Sequence, residues 1–327
     1  MLETIKTQKE ILDKVTTQKA LFDVKDYFKK SLSEALNLME VSAPLVVISG
    51  TGINDDLNGI EKPVRFHAKS YPDRKLEIVQ SLAKWKRIML ADLDLEIGRG
   101  IVTDMKALRP DEIISPIHSI FVDQWDWEKR ISERDRNLNY LKFEVKRIYK
   151  SIKDTERYLQ ERFRSLKAFL PDEIKFIHSE ELQYRYPKLT PKQREQIIAK
   201  DYGAVFIIGI GHELIDGVPH DLRAPDYDDW STETIGSYRG LNGDIIVWNP
   251  TLEDAFEVSS MGIRVDKESL IKQLEITSTE DRKQVSFHKK LINGDLPLSI
   301  GGGIGQSRLA MLLLKKDHIC EVLAKLI

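Results

Sequence analysis

The chain has 327 residues, of which 41% are hydrophobic and 31% charged, a composition that is ordinary for a globular protein with a large core. Its formal net charge of −2 excludes the strongly basic field with which a primary nucleic-acid binder holds a phosphate backbone. The single cysteine, Cys320, excludes an internal disulfide framework and a zinc site built from cysteines.

The N-terminal segment is polar and carries no apolar signal core. No stretch of the sequence approaches the run of about 18 apolar residues that a membrane span needs. We therefore expect a cytoplasmic protein that does not associate with membranes.

The first predicted element is an amphipathic helix that ends at Asn37. Its apolar residues recur at steps of three and four, at Leu21, Val24, Phe28, Leu32 and Ala35. Residues 40–48 then predict a strand interrupted by Pro44, and proline in a strand belongs at an edge, a bulge or an interface.

The middle of the chain predicts a hairpin, a helix and a pair of strands. Residues 62–79 alternate around a polar turn at 71–74, and Ser81 is a plausible N-cap for a helix that contains Trp85 and Lys86. Residues 100–109 and 118–127 flank a short loop and predict paired antiparallel strands. The longest helix follows, with apolar spacing from Leu138 to Leu159.

The last third predicts three strands, two helices and a glycine-rich turn. Residues 204–210 are continuously apolar, which is typical of a strand buried on both faces, and residues 244–248 and 255–265 are also strand-like. Two helices follow from Asp266, and a glycine-rich turn feeds a helix at 304–314. The predicted fold class is α+β, a mostly antiparallel sheet flanked by helices.

The most informative segment is SIGGGIGQSRL, residues 299–309. Its glycines permit close approach of a ligand to the backbone, and Arg308 near the helix start could stack on a purine or pair with a phosphate. A tight turn that only lets a helix pack is the alternative. The segment lacks the Gly-Lys-Ser/Thr of a P-loop and is not followed by the βαβ unit of a dinucleotide fold.

The second segment is MKALRPDEIISPIHSIFVDQWDW, residues 105–127. Arg109 ends one predicted strand and His118 begins the next, where Gln124 and Asp126 share one face. That polar face, set among Val122 and tryptophans, is a candidate pocket. An edge hairpin with solvated charges is the alternative.

The third segment concentrates carboxylates between residues 228 and 257. Paired acids suit Mg²⁺ that carries ATP phosphates, because Mg²⁺ takes oxygen ligands and keeps waters. The alternative is a solvated acidic surface, which is commoner. The acidic residues are Asp228, Asp229, Asp244, Glu253 and Glu257.

The first helix with Glu40, Val41 and Pro44 resembles motif 1 of class II aminoacyl-tRNA synthetases, which forms the dimer interface in that superfamily. Arg109 with its loop, and His118 with Phe121, resemble motif 2, and GGGIGQSR, residues 301–308, resembles motif 3. Within that superfamily the blocks SLAKWKR, MKALRPDE, VDQWDWE, RAPDYDDW, LNGDI, EDAFEVSSMGIRVD and IGGGIGQSRL resemble the bacterial ammonia-dependent asparagine synthetases, from about residue 27 to 318. The resemblance implies a class II catalytic core, a single catalytic domain over residues 1–327 without an anticodon-binding domain, and a homodimer. It also implies L-aspartate, ATP and ammonia as substrates, with Mg²⁺.

The same resemblance assigns roles to individual residues. It implies catalytic roles for Asp55, Lys86, Arg109 and Gln124. It implies contacts with aspartate or asparagine from Asp55, Ser81, Lys86, Arg109, Gln124, Asp126, Asp228, Ser260 and Arg264. It implies contacts with ATP or AMP from Arg109, Ser119, Asp244, Glu257, Gly303 and Arg308, and with Mg²⁺ from Asp244 and Glu257.

Two departures and two alternatives remain at this stage. Gln80 stands where the family is expected to have histidine, which puts an acid–base role there in question, and Cys320 has no assigned role. Another class II-like ligase, acting on a different amino acid or on tRNA, is one alternative. A non-catalytic regulatory subunit is the other, although Arg109 and Arg308 are both present. Because the only cysteine lies far from a plausible histidine partner, free ammonia is the expected nitrogen source.

Overall fold

Helices cover both faces of an eight-stranded sheet, and a three-stranded sheet stands beside it. The computed structural model describes residues 11–54, 57 and 61–324. The strands are β1 (Leu38–Glu40), β2 (Val46–Ile48), β3 (Arg65–Ala68), β4 (Tyr71–Ile78), β5 (Gly100–Leu108), β6 (Phe121–Arg130), β7 (Lys175–His178), β8 (Ala204–Ile208), β9 (Asn242–Asn249), β10 (Asp254–Ile263) and β11 (Ser299–Gly305). The helices are α1 (Lys14–Leu36), α2 (Ala83–Asp92), α3 (Leu138–Arg162), α4 (Ser179–Arg185), α5 (Pro191–Tyr202), α6 (Lys267–Ile276), α7 (Ser286–Ile292) and α8 (Gln306–Leu313).

The large sheet has the order β1-β5-β6-β11-β10-β9-β8-β7 and is mixed. The predicted α+β class is confirmed, but the prediction of a mostly antiparallel sheet is wrong. Both outermost pairs, β1 with β5 and β7 with β8, are parallel. Hydrophobic alternation carries no information on strand direction, and the crossover through α4 and α5 returns β8 parallel to β7.

The first helix has the limits that its capping residues dictate. The Asp13 carboxylate accepts a hydrogen bond from the backbone N–H of Thr16, and Asn37 ends α1 in the left-handed region at φ 60°. The predicted end at Asn37 is confirmed. The buried residues of α1 lie on one stripe, and Phe28 packs on Trp125 of β6 with ring centroids 4.6 Å apart.

Several predicted boundaries differ from the structure. The strand predicted over residues 40–48 is two strands in different sheets, β1 and β2, because Pro44 lies between them. The hairpin turn precedes Tyr71 rather than spanning 71–74, since Tyr71 already begins β4. The N-cap of α2 is Leu82, not Ser81, although the Ser81 hydroxyl accepts a hydrogen bond from Ala83 N at 3.2 Å.

The glycine run is a strand and not a turn, which corrects the prediction for residues 299–305. As β11 it lies between β6 and β10, with Gly303 opposite both Asp126 and Ser260. The helix after it, α8, begins at Gln306. Extended glycines therefore form the middle of the sheet rather than its edge.

The main hydrophobic core lies between the sheet and α1, α3 and α8. It includes Phe28, Trp125, Trp127 and Ile148, all fully buried. Helices α4 and α5 cover the opposite face of β8 and β9. In the described ranges, no helix has the length and apolar character required to traverse a lipid bilayer.

Candidate active site

A cavity of about 420 Å³ lies against β6, β10 and β11, on the face away from the main core. Gln124 and Asp126 of β6 line it, whereas the alternating Trp125 and Trp127 are buried in the core. The predicted site residues that line the cavity are Ser81, Lys86, Arg109, Ser119, Gln124, Asp126, Asp228, Glu257, Ser260, Arg264, Gly303 and Arg308. Distant parts of the chain thus meet at one volume, while the role of each residue stays a prediction.

Two predicted residues are not among the described residues of that lining. Asp55 lies outside the described residues. Asp244 of β9 is buried, and its Oδ2 accepts a hydrogen bond from Arg223 Nη2 at 2.6 Å. Asp244 therefore approaches the site through Arg223.

The glycines of β11 make room for the polar side chains of β6. A Cβ on Gly303 would collide with Gln124 Oε1 and lie 2.8 Å from Asp126 Oδ1. A Cβ on Gly301 would collide with Glu128 and lie 2.6 Å from Arg264 Nη2. Close approach of side chains to the backbone is thus the physical reason for glycine at these positions.

Lys86 fixes one wall of the cavity. Its Nζ donates to Asp126 Oδ1 and to the carbonyl oxygen of Gly302, both at 2.9 Å, and the lysine is 1% exposed. Asp126 Oδ2 is buried without a hydrogen-bond partner among the described residues. Because a buried carboxylate oxygen costs free energy when it is unpaired, Asp126 is poised to accept a hydrogen bond from a ligand.

Arg264 is held between two carboxylates. Its Nε donates to Glu128 Oε1 at 3.0 Å, its Nη2 to Glu128 Oε2 at 2.9 Å, and its Nη1 to Asp228 Oδ1. Burial raises the pKa of Glu128, but Arg264 and Ser299 outweigh it and hold that pKa below its ordinary value. Burial dominates at Asp228, whose pKa is raised in spite of Arg264 and Arg223.

Sequence reasoning missed Glu128, which completes this buried ion cluster. The alternation that selected Gln124 and Asp126 reaches Glu128 two residues later on the same face of β6. Extending that alternation would have found it.

Arg223 is the second residue that sequence reasoning missed. Besides Asp244 it contacts Asp221 at 2.8 Å and the Ser260 hydroxyl at 3.5 Å. Burial raises the pKa of Asp244 to about 7, against the opposing effect of Arg223 and with a further contribution from Glu257. The signal in the sequence that could have identified Arg223 was its position directly before the acidic segment APDYDDW.

Arg223 lines a second cavity, of about 410 Å³, that adjoins the first. The two cavities share seven of the described lining residues, including Arg109 and Ser260. The wall of the second also carries several carboxylates, from Glu61, Asp111, Glu112 and Glu257.

Arg109 and Arg308 are held more lightly than the other cations of the cavity. Arg109 Nε donates to the carbonyl oxygen of Gln80 at 3.4 Å, and Arg308 Nη1 to that of Glu257 at 3.3 Å. His118 precedes β6 rather than beginning it, and its Nδ1 is 2.7 Å from the Ser115 hydroxyl. Burial and the charge of Arg308 lower the pKa of His118.

A sequence profile of the aspartate–ammonia ligase family matches residues 15–327. The chain is 52% identical over 318 residues to the aspartate–ammonia ligase of Parabacteroides distasonis, an alignment that covers 97% of this chain and 92% of the relative.

The fold is similar to that of asparaginyl-tRNA synthetases. The enzyme of Pyrococcus horikoshii complexed with asparaginyl-adenylate aligns with a TM-score of 0.70 at 16% identity, over 94% of this chain and 68% of that one. The Entamoeba histolytica enzyme in complex with asparaginyl-adenylate aligns with a TM-score of 0.68 at 14% identity, over 95% of this chain and 66% of that one. The chain thus spans about two thirds of the length of these synthetases, and at such low identity the likeness concerns the fold.

Proposed function

This chain belongs to the aspartate–ammonia ligase family, whose members make L-asparagine from L-aspartate, ammonia and ATP, and we propose how its cavity carries out that reaction. The cavity holds L-aspartate and ATP together, so that the side-chain carboxylate becomes an adenylate and ammonia displaces AMP. The observation that carries this proposal is the shared lining of Lys86, Arg109, Arg264 and Arg308, four cations around about 420 Å³.

In the first step an oxygen of the β-carboxylate attacks the α-phosphorus of ATP, and the bond from that phosphorus to diphosphate breaks. Both reactants are anions, so their approach depends on fixed positive charge. Arg109 is suited to bridge them, because its planar guanidinium donates two parallel hydrogen bonds and is not committed to a carboxylate among the described residues.

In the second step the nitrogen of ammonia attacks the acyl carbon and the bond to AMP breaks through a tetrahedral oxyanion. Arg109 and Gln124, which line both cavities, are the donors that we assign to that oxygen. Ammonium must lose a proton before it attacks, and Asp55, outside the described residues, is the base that the family resemblance suggests.

The aspartate is held at its remaining charged groups. We assign its α-ammonium to Asp126 and Asp228, since Asp126 Oδ2 has no partner in the described part of the chain. Lys86 sits beside that carboxylate and adds positive charge for a substrate carboxylate.

Mg²⁺ would be held by Asp244 and Glu257. Asp244 Oδ1 is buried without a hydrogen-bond partner in the described structure, and burial, with a contribution from the charge of Glu257, raises the pKa of this carboxyl. No cluster of three or more potential ligands occurs within the described ranges. The two carboxylates would therefore leave the other positions around Mg²⁺ to water and phosphate oxygens. When bound, Mg²⁺ would offset the charge of the ATP phosphates.

The test is an assay of the purified chain with aspartate, ATP and Mg²⁺, in which AMP, diphosphate and asparagine are measured with ammonium or with glutamine as nitrogen source. We expect AMP and asparagine in equal amounts with ammonium and little product with glutamine. Formation of ADP, or aspartate-dependent AMP release without asparagine, would overturn the proposed two steps. A product that requires tRNA would favour a synthetase-like ligase instead.

A further inference from the structure

Two ion-pair bridges connect α1 to the first turn of α8, the turn that leads to Arg308. They start from Lys25 and Lys29, which lie one helical turn apart on α1. Each bridge passes through an aspartate on the sheet face that α1 covers. Asp123 and Ser307 line the cavity, as Arg308 does, so the first bridge ties a helix outside the cavity to the cavity wall.

The first bridge passes through Asp123 of β6. Lys25 Nζ donates to Asp123 Oδ2 at 2.9 Å, and the backbone N–H of Ser307 donates to Asp123 Oδ1 at 3.0 Å. Asp123 is 7% exposed and Ser307 is 4% exposed, so the contact between them is shielded from solvent, whereas Lys25 is 30% exposed. Charge-assisted hydrogen bonds in such surroundings are stronger than exposed ones.

The second bridge passes through Asp104 of β5 and has the same form. Lys29 Nζ donates to Asp104 Oδ2 at 2.9 Å, and Gln306 Nε2 donates to Asp104 Oδ1 at 2.7 Å. Lys29 also donates to Glu40 of β1 at 2.6 Å, which anchors it further. In both bridges one carboxylate oxygen receives the lysine and the other receives α8.

Arg308 depends on this turn because its own head group is lightly held. Its Nη1 lies 3.3 Å from the Glu257 carbonyl oxygen and 3.7 Å from Glu257 Oε2, and the side chain is 25% exposed. The path of the backbone at residues 306 and 307 therefore sets the point from which the guanidinium reaches into the cavity.

We propose that Lys25, Asp123, Lys29 and Asp104 are positioning residues for the nucleotide, which act by fixing the first turn of α8 so that Arg308 meets ATP. The inference rests on the proposed role of Arg308 in ATP binding. It extends the functional site beyond the cavity to a surface of α1. It also predicts that breaking a bridge weakens the binding of ATP far more than the binding of aspartate.

The test compares Lys25→Met with Asp23→Asn, which breaks a different charge pair of α1, the one from Asp23 to Arg162 of α3 at 3.0 Å. We expect Lys25→Met to raise the KM for ATP and the Kd of a non-hydrolysable ATP analogue about tenfold, since a charged hydrogen bond is lost. The KM for aspartate should change less than about twofold, and Asp23→Asn should change neither constant more than that. Equal increases in both KM values would overturn the inference.

A second measurement places both substitutions in an Arg308→Ala background. If the bridge acts through Arg308, Lys25→Met should weaken analogue binding little further once Arg308 is absent. An undiminished tenfold effect in that background would refute the inference while leaving the proposed reaction intact. If Arg308→Ala itself leaves analogue binding unchanged, the assigned role of Arg308 fails instead. Lys29→Met, which breaks the second bridge at a residue outside the described cavity lining, serves if Lys25→Met folds poorly, with the same expected split.

Discussion

At the level of one residue, Arg109 allows a test that separates catalysis from stability, because its side chain makes only a long hydrogen bond to the described residues. Its hydrogen bond to the Gln80 carbonyl oxygen is 3.4 Å long. Arg109→Ala should therefore lower kcat at least about 100-fold, roughly 3 kcal/mol of transition-state stabilisation, while the melting temperature hardly changes. AMP release and thermal unfolding measure the two effects.

Arg109→Lys separates charge from geometry at the same position. Lysine keeps the positive charge but cannot donate two parallel hydrogen bonds, so we expect it to recover only a small part of the lost rate. Near-normal turnover of Arg109→Ala would contradict the assignment.

The raised pKa of Asp244 predicts that the free energy of unfolding depends on pH. Its pKa is raised from 3.8 to about 7, so between these values the folded protein binds a proton that the unfolded chain has released. The stability that this proton linkage contributes is fully present below pH 3.8 and is lost as the pH rises to about 7. Asp244→Asn should remove this fall, which amounts to on the order of 1 kcal/mol per pH unit at most.

The measurement is the free energy of unfolding by urea across that pH range. Asp244→Asn also removes the partner of Arg223 and should lower stability at every pH, so the slope and not the offset is diagnostic. Asp254→Asn on the adjacent strand, a hydrogen-bond partner of Gln196, is the control. Parallel curves for wild type and Asp244→Asn would show that Asp244 does not titrate in this range.

At the scale of elements, the contacts of β11 predict that alanine at two neighbouring glycines affects different properties, stability at Gly302 and substrate binding at Gly303. A Cβ on Gly302 would lie 2.6 Å from Met261 Cβ and 2.7 Å from the Ser260 carbonyl oxygen, so Gly302→Ala presses on the backbone of β10. We expect it to cost about 2–3 kcal/mol of unfolding free energy.

Gly303→Ala meets the end of Gln124, which can swing away, and Asp126 Oδ1, which Lys86 holds at 2.9 Å. It should cost about 1 kcal/mol in stability, less than Gly302→Ala, yet raise the KM for aspartate at least about tenfold. Urea unfolding and steady-state kinetics on both variants check the contrast. A Gly303→Ala variant with unchanged kinetics would show that these side chains do not need their present positions.

The elements also show what could be predicted from sequence. Apolar periodicity identified α1, α3 and the buried β8, because their side chains report directly which face is covered. It failed at β11, since glycines have no side chains to alternate and usually indicate turns. The extended conformation there is set by β6 and β10, whose side chains need the space that glycine leaves, and such tertiary causes are invisible in a local pattern.

At the scale of the whole molecule, the sequence indicated many residues that meet at the cavity but not how their side chains are paired, and their roles stay predictions. Family resemblance selected twelve of the described residues that line the first cavity, from Ser81 to Arg308. It did not indicate that Arg264 is neutralised by Glu128 and Asp228, or that Arg223 holds Asp244. These pairings join residues far apart in the chain, and only the folded sheet brings them together.

The expected homodimer is the remaining prediction at this scale. The outward side of α1, the helix that resembles the superfamily's dimerisation motif, exposes Val15 at 66% and Phe22 at 70%, and Met39 of β1 is 42% exposed. Exposed apolar residues on one side of an element are typical of an interface. In a two-fold dimer the same residues of both subunits would be buried. Light scattering should give twice the chain mass of 37.7 kDa. Phe22→Glu should yield a monomer. Its ATP binding should also be weaker, because α1 carries Lys25 and Lys29 of the two bridges. The control Ile276→Glu, at the end of α6, should remain dimeric. A wild-type protein that is monomeric at micromolar concentration would refute the dimer and leave Phe22 without a partner.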